Sequence, residues 1–249
     1  MKIIALYSLK GGVGKTTACV NLAYFAAAGG ARTLVCDLDP QGSASYFFRV
    51  RGEKKFGAKK LLQGGDDFIR NIKGTDYENL DLLPAKMGYR SLDIVLHGLK
   101  GSQKRLKTIL NKVCDDYEYI FLDCPPSINL MAENVFMAAD AILVPLKPSS
   151  LPLVTYDKLL AFFDKKGFKT SSIYTFFSMV ESRKSLHKQA MMEMAEAGEK
   201  RLLSSAIPYR SIVEKMAFNR EPLPCFEPGK KVSQNYEDLW DELKNKMKS

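Results

Sequence analysis

The chain has 249 residues, 46% of them hydrophobic and 26% charged, with a formal net charge of +9. That composition is ordinary for a globular protein and excludes a disordered chain, and no apolar run approaches the roughly 20 residues a membrane-spanning helix needs. The opening MKIIALYSLKGG reaches glycine too soon for a secretory signal, so the expectation is a soluble cytoplasmic protein whose basic balance favours polyanionic partners.

In chain order, KIIALYSL reads as a first strand and KTTACVNLAYFAAAG as a helix closed by Gly29 and Gly30. RTLVCDLD is a second strand, LDLLPA at 80–85 a third, and 102–114 a helix. YEYIFLDC ends a strand at Asp123. INLMAENVFMAA is a helix, and DAILVPLKP a strand stopped by two prolines. A helix through TYDKLLAFFDK precedes the strand SSIYTFFSMV. Residues 184–197 read as helix, LLSSAIP as extended and SQNYEDLWDELKNKMK as a last helix. Segment 49–78, glycine-rich and charged, carries no clear period. Continuous apolar strands alternating with helices predict an α/β fold. Its sheet is mostly parallel and twisted, with helices on both faces. No repeat or long linker divides it, so residues 1–249 are expected to form a single domain.

The stretch LKGGVGKTT at 9–17 carries the chemistry. A phosphate loop places a glycine five residues before the Gly-Lys-Thr; here that place holds Leu9, and Gly11 and Gly12 follow a lysine instead. Small residues still let consecutive backbone N–H groups turn inward on phosphate oxygens. The following helix presents its positive end to the same anion. Gly11, Gly12, Val13, Gly14, Lys15, Thr16 and Thr17 are therefore the expected nucleotide-binding residues. Lys15 would reach the β- and γ-phosphates, and the Thr16 hydroxyl would ligate Mg²⁺. Asp37 and Asp39 end the second strand, and Asp123 ends another apolar strand. In a parallel sheet, that is the edge where ligands sit. A single such aspartate is more often a cap or a turn residue; three at one edge point to a metal-dependent reaction.

These motifs resemble the ParA/MinD family of deviant Walker A ATPases, within the P-loop NTPases. The resemblance runs over nearly the whole chain, through KGGVGKTT, DLDPQGSAS, FLDCPPS, ADAILVPLKPS and IPYRSIVEKMAFNREP. DLDPQG favours the ParA branch. The resemblance implies that Lys10 crosses into a partner subunit and touches its nucleotide, so that ATP joins two copies face to face. Two Mg-triphosphates brought together still repel unless cations lie between them, which a lysine from each copy supplies. It further implies that Asp39 positions the attacking water, that Asp37 and Asp123 serve the metal, and that Pro208 belongs to the nucleotide site. Catalysis is thus assigned to Lys10, Lys15 and Asp39.

ParA relatives bind DNA without sequence preference in the ATP state. Arg183 matches a family position used for this, and Lys184 and Lys188 lie four apart on one helix face. The place of a second family arginine holds Ile212; Arg210, Lys215 and Arg220 stand nearby instead. The chain begins at its first strand, so no helix-turn-helix domain is expected ahead of it. The implied function is partition of plasmid or chromosome DNA, or positioning of another cargo. The implied partners are nucleoid DNA and a ParB-like adaptor that stimulates hydrolysis. Two further basic runs, RVRGEKKFGAKK and LKGSQKRLK, read as solubilising faces.

Two rivals differ in class. A MinD-like membrane protein would use the stripe Tyr236, Leu239, Trp240, Leu243 and Met247. A stripe at helical spacing more often packs on its own core, and Asp238, Asp241 and Glu242 would repel anionic lipid. An electron donor resembling the nitrogenase iron protein would need paired cysteines. Cys19, Cys36, Cys114, Cys124 and Cys225 show no such spacing and read as reduced thiols.

Overall fold

A computed structural model describes residues 1–196, 198, 199 and 201–248, with backbone alone at 150–153. The first half holds β1 (Lys2–Leu6), α1 (Lys15–Ala28), β2 (Thr33–Asp37), α2 (Ser43–Phe47), α3 (Ala58–Gln63), α4 (Asp66–Asn71), β3 (Lys73–Gly74), β4 (Leu80–Leu83), α5 (Leu92–His97) and α6 (Arg105–Leu110). The second holds β5 (Tyr119–Asp123), α7 (Leu130–Ala138), β6 (Ala141–Leu146), α8 (Ser150–Lys166), β7 (Ile173–Val180), α9 (Ser185–Glu196), β8 (Leu202–Pro208), α10 (Ser211–Asn219), α11 (Leu223–Phe226) and α12 (Lys231–Lys246).

The strands form one eight-stranded sheet in the order β3-β4-β2-β5-β1-β6-β7-β8. Every neighbouring pair is parallel except β3–β4. Both faces are covered, because successive residues of a strand point to opposite sides. Ile3, Ala5 and Tyr7 enter one apolar cluster, and Ile4 and Leu6 enter the other.

α1 lies beneath the sheet's centre. It is alanine-rich and buried on most sides, as its composition requires. Asn21, fully buried in it, accepts a hydrogen bond from the Leu223 N–H at 2.9 Å and donates to the Thr17 carbonyl at 2.8 Å. That residue ties α11 to the helix that starts at the phosphate loop. α12 packs on the same side: Leu239 and Leu243 are 0% exposed and Trp240 4%. Trp240 meets Tyr119 edge-to-face at 4.9 Å. The C-terminal apolar stripe is therefore core.

Several expected boundaries move. Pro145 does not stop its strand but lies within β6, opposite Phe176 of β7. It is tolerated there because the pairing of β6 with β1 ends at Leu143, so no ladder partner waits on that side. The helix expected over 102–114 is α6 flanked by two short 3₁₀ turns. Segment 49–78 contains α3, α4 and the antiparallel edge strand β3.

Candidate nucleotide site and basic cleft

The site stands at the carboxyl edge of β2, β5 and β1, which are adjacent in the sheet. Register places Asp37 opposite Asp123, and Asp123 opposite Leu6, the last residue of β1, which leads into the glycine-rich loop. The Leu38 N–H donates to the Asp123 carbonyl at 3.0 Å and the Cys124 N–H to Leu6 at 3.3 Å, so the three strand ends are laced together. The Tyr7 hydroxyl donates to the Ser127 carbonyl at 2.9 Å and holds the loop after Asp123 against β1.

Gly12 and Gly14 adopt φ of 69° and 91°, the left-handed region that glycine alone enters freely. Gly14 is also closely packed: a Cβ there would stand 2.9 Å from the Ser178 hydroxyl. α1 begins immediately after, with no acidic residue in its first turn to offset its positive end. Lys15 is 7% exposed, and its ammonium donates to the Lys10 carbonyl at 3.3 Å. Burial lowers its pKa, against the opposing pull of Asp123, so a bound phosphate would restore what desolvation takes. Lys10 is the opposite case. Its side chain is exposed and pairs with no carboxylate among the described residues.

The aspartates divide in the same way. Asp37 and Asp123 are 0% exposed. One Asp37 oxygen accepts both the N–H and the hydroxyl of Ser45, while its other oxygen and both oxygens of Asp123 have no hydrogen-bond partner among the described residues. The Thr16 hydroxyl faces Asp123 closely enough to favour its charged form. Burial pushes both carboxyls up, Asp37 to about 7 and Asp123 well above its usual range, with Asp37 adding to the shift at Asp123. Unpartnered buried carboxylate oxygens beside a threonine hydroxyl are the donor set a hard divalent cation takes. No group of three or more His, Cys, Asp and Glu fit to hold a metal occurs among the described residues. A cation here would accordingly draw most of its ligands from phosphate and water. Asp39 sits further out, half-buried, with one oxygen accepting the Gln41 N–H at 2.9 Å.

Pro208 lines an apolar cavity of about 170 Å³ that opens beside Gly14 and Thr17; Phe47, Met179 and Val213 form its other walls. Met179 has φ of 57°, strained for a side-chain-bearing residue, where the register of β7 on β8 is interrupted. Neither Met179 nor Ser45 was visible as a site residue from the motifs.

Of the expected DNA contacts, the fold brings Arg183 and Arg210 into one cleft of about 630 Å³ and adds Lys231. Lys188 and Lys215 are exposed on the helices beside it. Lys184 pairs with Glu181 at 2.6 Å. Arg220 is committed elsewhere: its guanidinium lies 4.6 Å over the Tyr46 ring and donates to the Tyr46 carbonyl at 3.2 Å, joining α10 to α2.

A left-handed glycine loop, a buried lysine facing it and two buried carboxylates at the strand ends define a P-loop nucleotide-binding protein. A family model described as an AAA domain matches residues 1–173. The chain is 30% identical over 247 residues to the sporulation initiation inhibitor protein Soj of Bacillus subtilis (strain 168), covering 97% of this chain and 98% of that one. It is 27% identical to the chromosome-partitioning ATPase Soj of Treponema pallidum (strain Nichols), covering 97% and 96%. A structure described as a plasmid partition protein from Borrelia burgdorferi B31 bound to AMPPNP superposes with a TM-score of 0.85 at 25% identity, covering 98% of this chain and 99% of that one. The chain belongs to this AAA-domain family, in its ParA/Soj branch, whose members are ATPases.

Proposed function

We propose that residues 1–249 act as one ATPase domain, two copies of which close face to face over two ATP molecules. The closed pair binds DNA without regard to sequence and lets go when ATP is hydrolysed. The observation that carries this reading is the contrast between the two lysines of one loop. Lys15 is buried and turned back on its own loop; Lys10 is exposed and uncommitted. One cation serves the subunit's own phosphates, and the other is free to serve a neighbour's.

In this reading the N–H groups of 11–17 and the start of α1 surround the phosphates, and Lys15 neutralises them. The base occupies the cavity walled by Met179 and Pro208. Thr16, Asp37 and Asp123 would hold a Mg²⁺ ion, which supplies charge neutralisation to the phosphates. Asp39, at the outer edge, orients the attacking water; phosphoryl transfer to water asks mainly for positioning, so it need not be a strong base. Arg183, Arg210, Lys188, Lys215 and Lys231 contact DNA phosphates, which gives salt-sensitive, sequence-blind binding. Lys184 and Arg220 support that surface through Glu181 and Tyr46. A ParB-like adaptor stimulates otherwise slow hydrolysis. The protein thereby partitions DNA, or positions another cargo, on the nucleoid in the cytoplasm. No described helix is long and apolar enough to cross a membrane, and a MinD-like anchor is disfavoured because Tyr236, Leu239, Trp240 and Leu243 are all packed in the core.

Sedimentation with ATP, with ADP and without nucleotide, in the presence of random-sequence duplex or of anionic vesicles, tests the proposal. Self-association and duplex binding should both require ATP. Binding to vesicles but not to duplex would replace it with the membrane reading.

A further inference from the structure

The basic run at 99–107, through α6, packs against α3, whose first turn ends the basic run at 49–60. The Arg105 guanidinium donates to the carbonyls of Leu62 and Gln63, closing the end of α3 against α6. The Lys86 ammonium donates to the Gly52 carbonyl and fixes the loop before α3. Beneath, Phe56, Ala58, Leu61, Leu62, Leu106 and Ile109 are at most 5% exposed and belong to one apolar cluster. The apolar side chains of these segments point in, and the cations are left outside on a braced platform.

Arg51, Lys54, Lys55, Lys59, Lys104 and Lys107 are exposed, and none makes an ion pair with a carboxylate among the described residues. The nearby acids are already taken. Glu53 pairs with Lys73 at 3.4 Å, and Asp67 with Lys60 at 3.1 Å and Arg70 at 2.9 Å. Among the described residues of 49–71 and 99–110, Asp66 alone is an acid outside such a pair. A lone lysine is solvated; six cations with so little compensation create a standing positive field.

This field is not an extension of the Arg183–Arg210 cleft. That cleft is lined by the ends of β7 and β8 and the start of α12, whereas the platform packs through α3 and α6 against α5 and α7 and shares no residue with it. Met87 and Ile94 are exposed nearby at 58% and 75%, but two apolar side chains do not make the continuous stripe that enters a lipid surface. We infer that the 51–59 and 104–107 platform is a second phosphate-binding surface for duplex nucleic acid. It rests on the proposed DNA-binding reading for its ligand and adds a site to it.

The test uses the full chain with ATP and Mg²⁺, comparing wild type with Arg51→Gln/Lys54→Gln/Lys55→Gln/Lys59→Gln and with Arg183→Gln/Arg210→Gln. Duplex affinity is followed from about 0.05 to 0.2 M salt, the range over which phosphate contacts are read. At about 0.9 per lost contact, the fourfold variant should lose about 3.6 from the slope of log affinity against log salt and bind at least about tenfold more weakly. Its ATP turnover without DNA should be unchanged. Wild-type affinity and slope in that variant would overturn the second surface while leaving the cleft intact. So would loss of binding to phosphatidylglycerol vesicles with duplex binding retained. A wild-type chain that ignores duplex in every nucleotide state would remove the DNA-binding reading itself, and this surface with it.

Discussion

Ser45 gives two hydrogen bonds to a single oxygen of Asp37, from its N–H at 2.8 Å and its hydroxyl at 2.7 Å. The same hydroxyl accepts the Ala85 N–H at 2.8 Å. The short helix α2 is thereby pinned to the end of β2 and to the loop after β4. The pinning leaves the other Asp37 oxygen unpartnered at the nucleotide edge. Ser45 acts through Asp37 and is a positioning residue.

Ser45→Ala removes the hydroxyl from both contacts but keeps the N–H bond. Losing buried hydrogen bonds of this kind costs about 1–3 kcal/mol, read as a lower urea midpoint. If the carboxylate swings, turnover should fall about ten- to a hundredfold, with ATP affinity changed far less. Ser45→Thr, which restores the hydroxyl, should recover most of both. Full turnover in the alanine variant would show that Asp37 needs no such support.

Gly14 tolerates no side chain for two separable reasons. Its φ of 91° is strained for any L-residue, by roughly 1–2 kcal/mol, and a Cβ would meet the Ser178 hydroxyl at 2.9 Å. Gly14→Ala should therefore weaken ATP binding by about tenfold or more, the equivalent of that strain. Adding Ser178→Gly should recover only the part due to the contact. Calorimetric titration of the two variants with ATP separates these contributions; full recovery would mean that the dihedral costs nothing.

Most of this site was legible because its residues lie in short continuous motifs at strand ends. Lys10, Lys15, Asp37 and Asp123 each follow an apolar run or a glycine cluster, and the parallel sheet gathers such positions at one edge. What escaped was set by contacts between distant segments. Arg220 reads as a free cation in its own segment, yet it is engaged by Tyr46 of α2. Lys231 enters the Arg183–Arg210 cleft only because α12 returns beside β8. Segment 49–78 was opaque for a local reason. α3 and α4 have six residues each and β3 has two, too short to display a period, and Gly57, Gly64 and Gly65 lie at the helix ends.

His187 supplies a pH dependence. Its ring is 3% exposed, and Nδ1 accepts the Glu181 N–H at 3.1 Å, anchoring the turn that carries Arg183. Burial lowers its pKa; Glu181 pulls the other way, and Lys184 and Lys147 add to the lowering. Below its usual value of about 6.5, the unfolded chain takes up a proton that the folded chain resists. The stabilising contribution is thus complete above that pH and is lost as pH falls through the depressed folded value. Between pH 7.5 and 5.5 the urea midpoint of the wild type should drop more than that of His187→Leu. Equal drops would place the acid sensitivity elsewhere.

Lys10 and Asp39 should separate assembly from turnover. Lys10→Ala removes an exposed side chain with no carboxylate partner, so folding should be unchanged. ATP should still bind within a few-fold, because Lys15 and the glycine loop remain. Without a cation to place against the neighbour's phosphates, ATP-dependent self-association should disappear, and duplex binding with it. Asp39→Ala is the mirror case. It should bind ATP, self-associate and hold duplex, while turnover falls by about a hundredfold or more for want of a positioned water. Sedimentation velocity with ATP, beside phosphate release, reads both variants. If Lys10→Ala associates on ATP as the wild type does, the exposed lysine is not what joins the copies. If Asp39→Ala hydrolyses ATP normally, the water is oriented by another group.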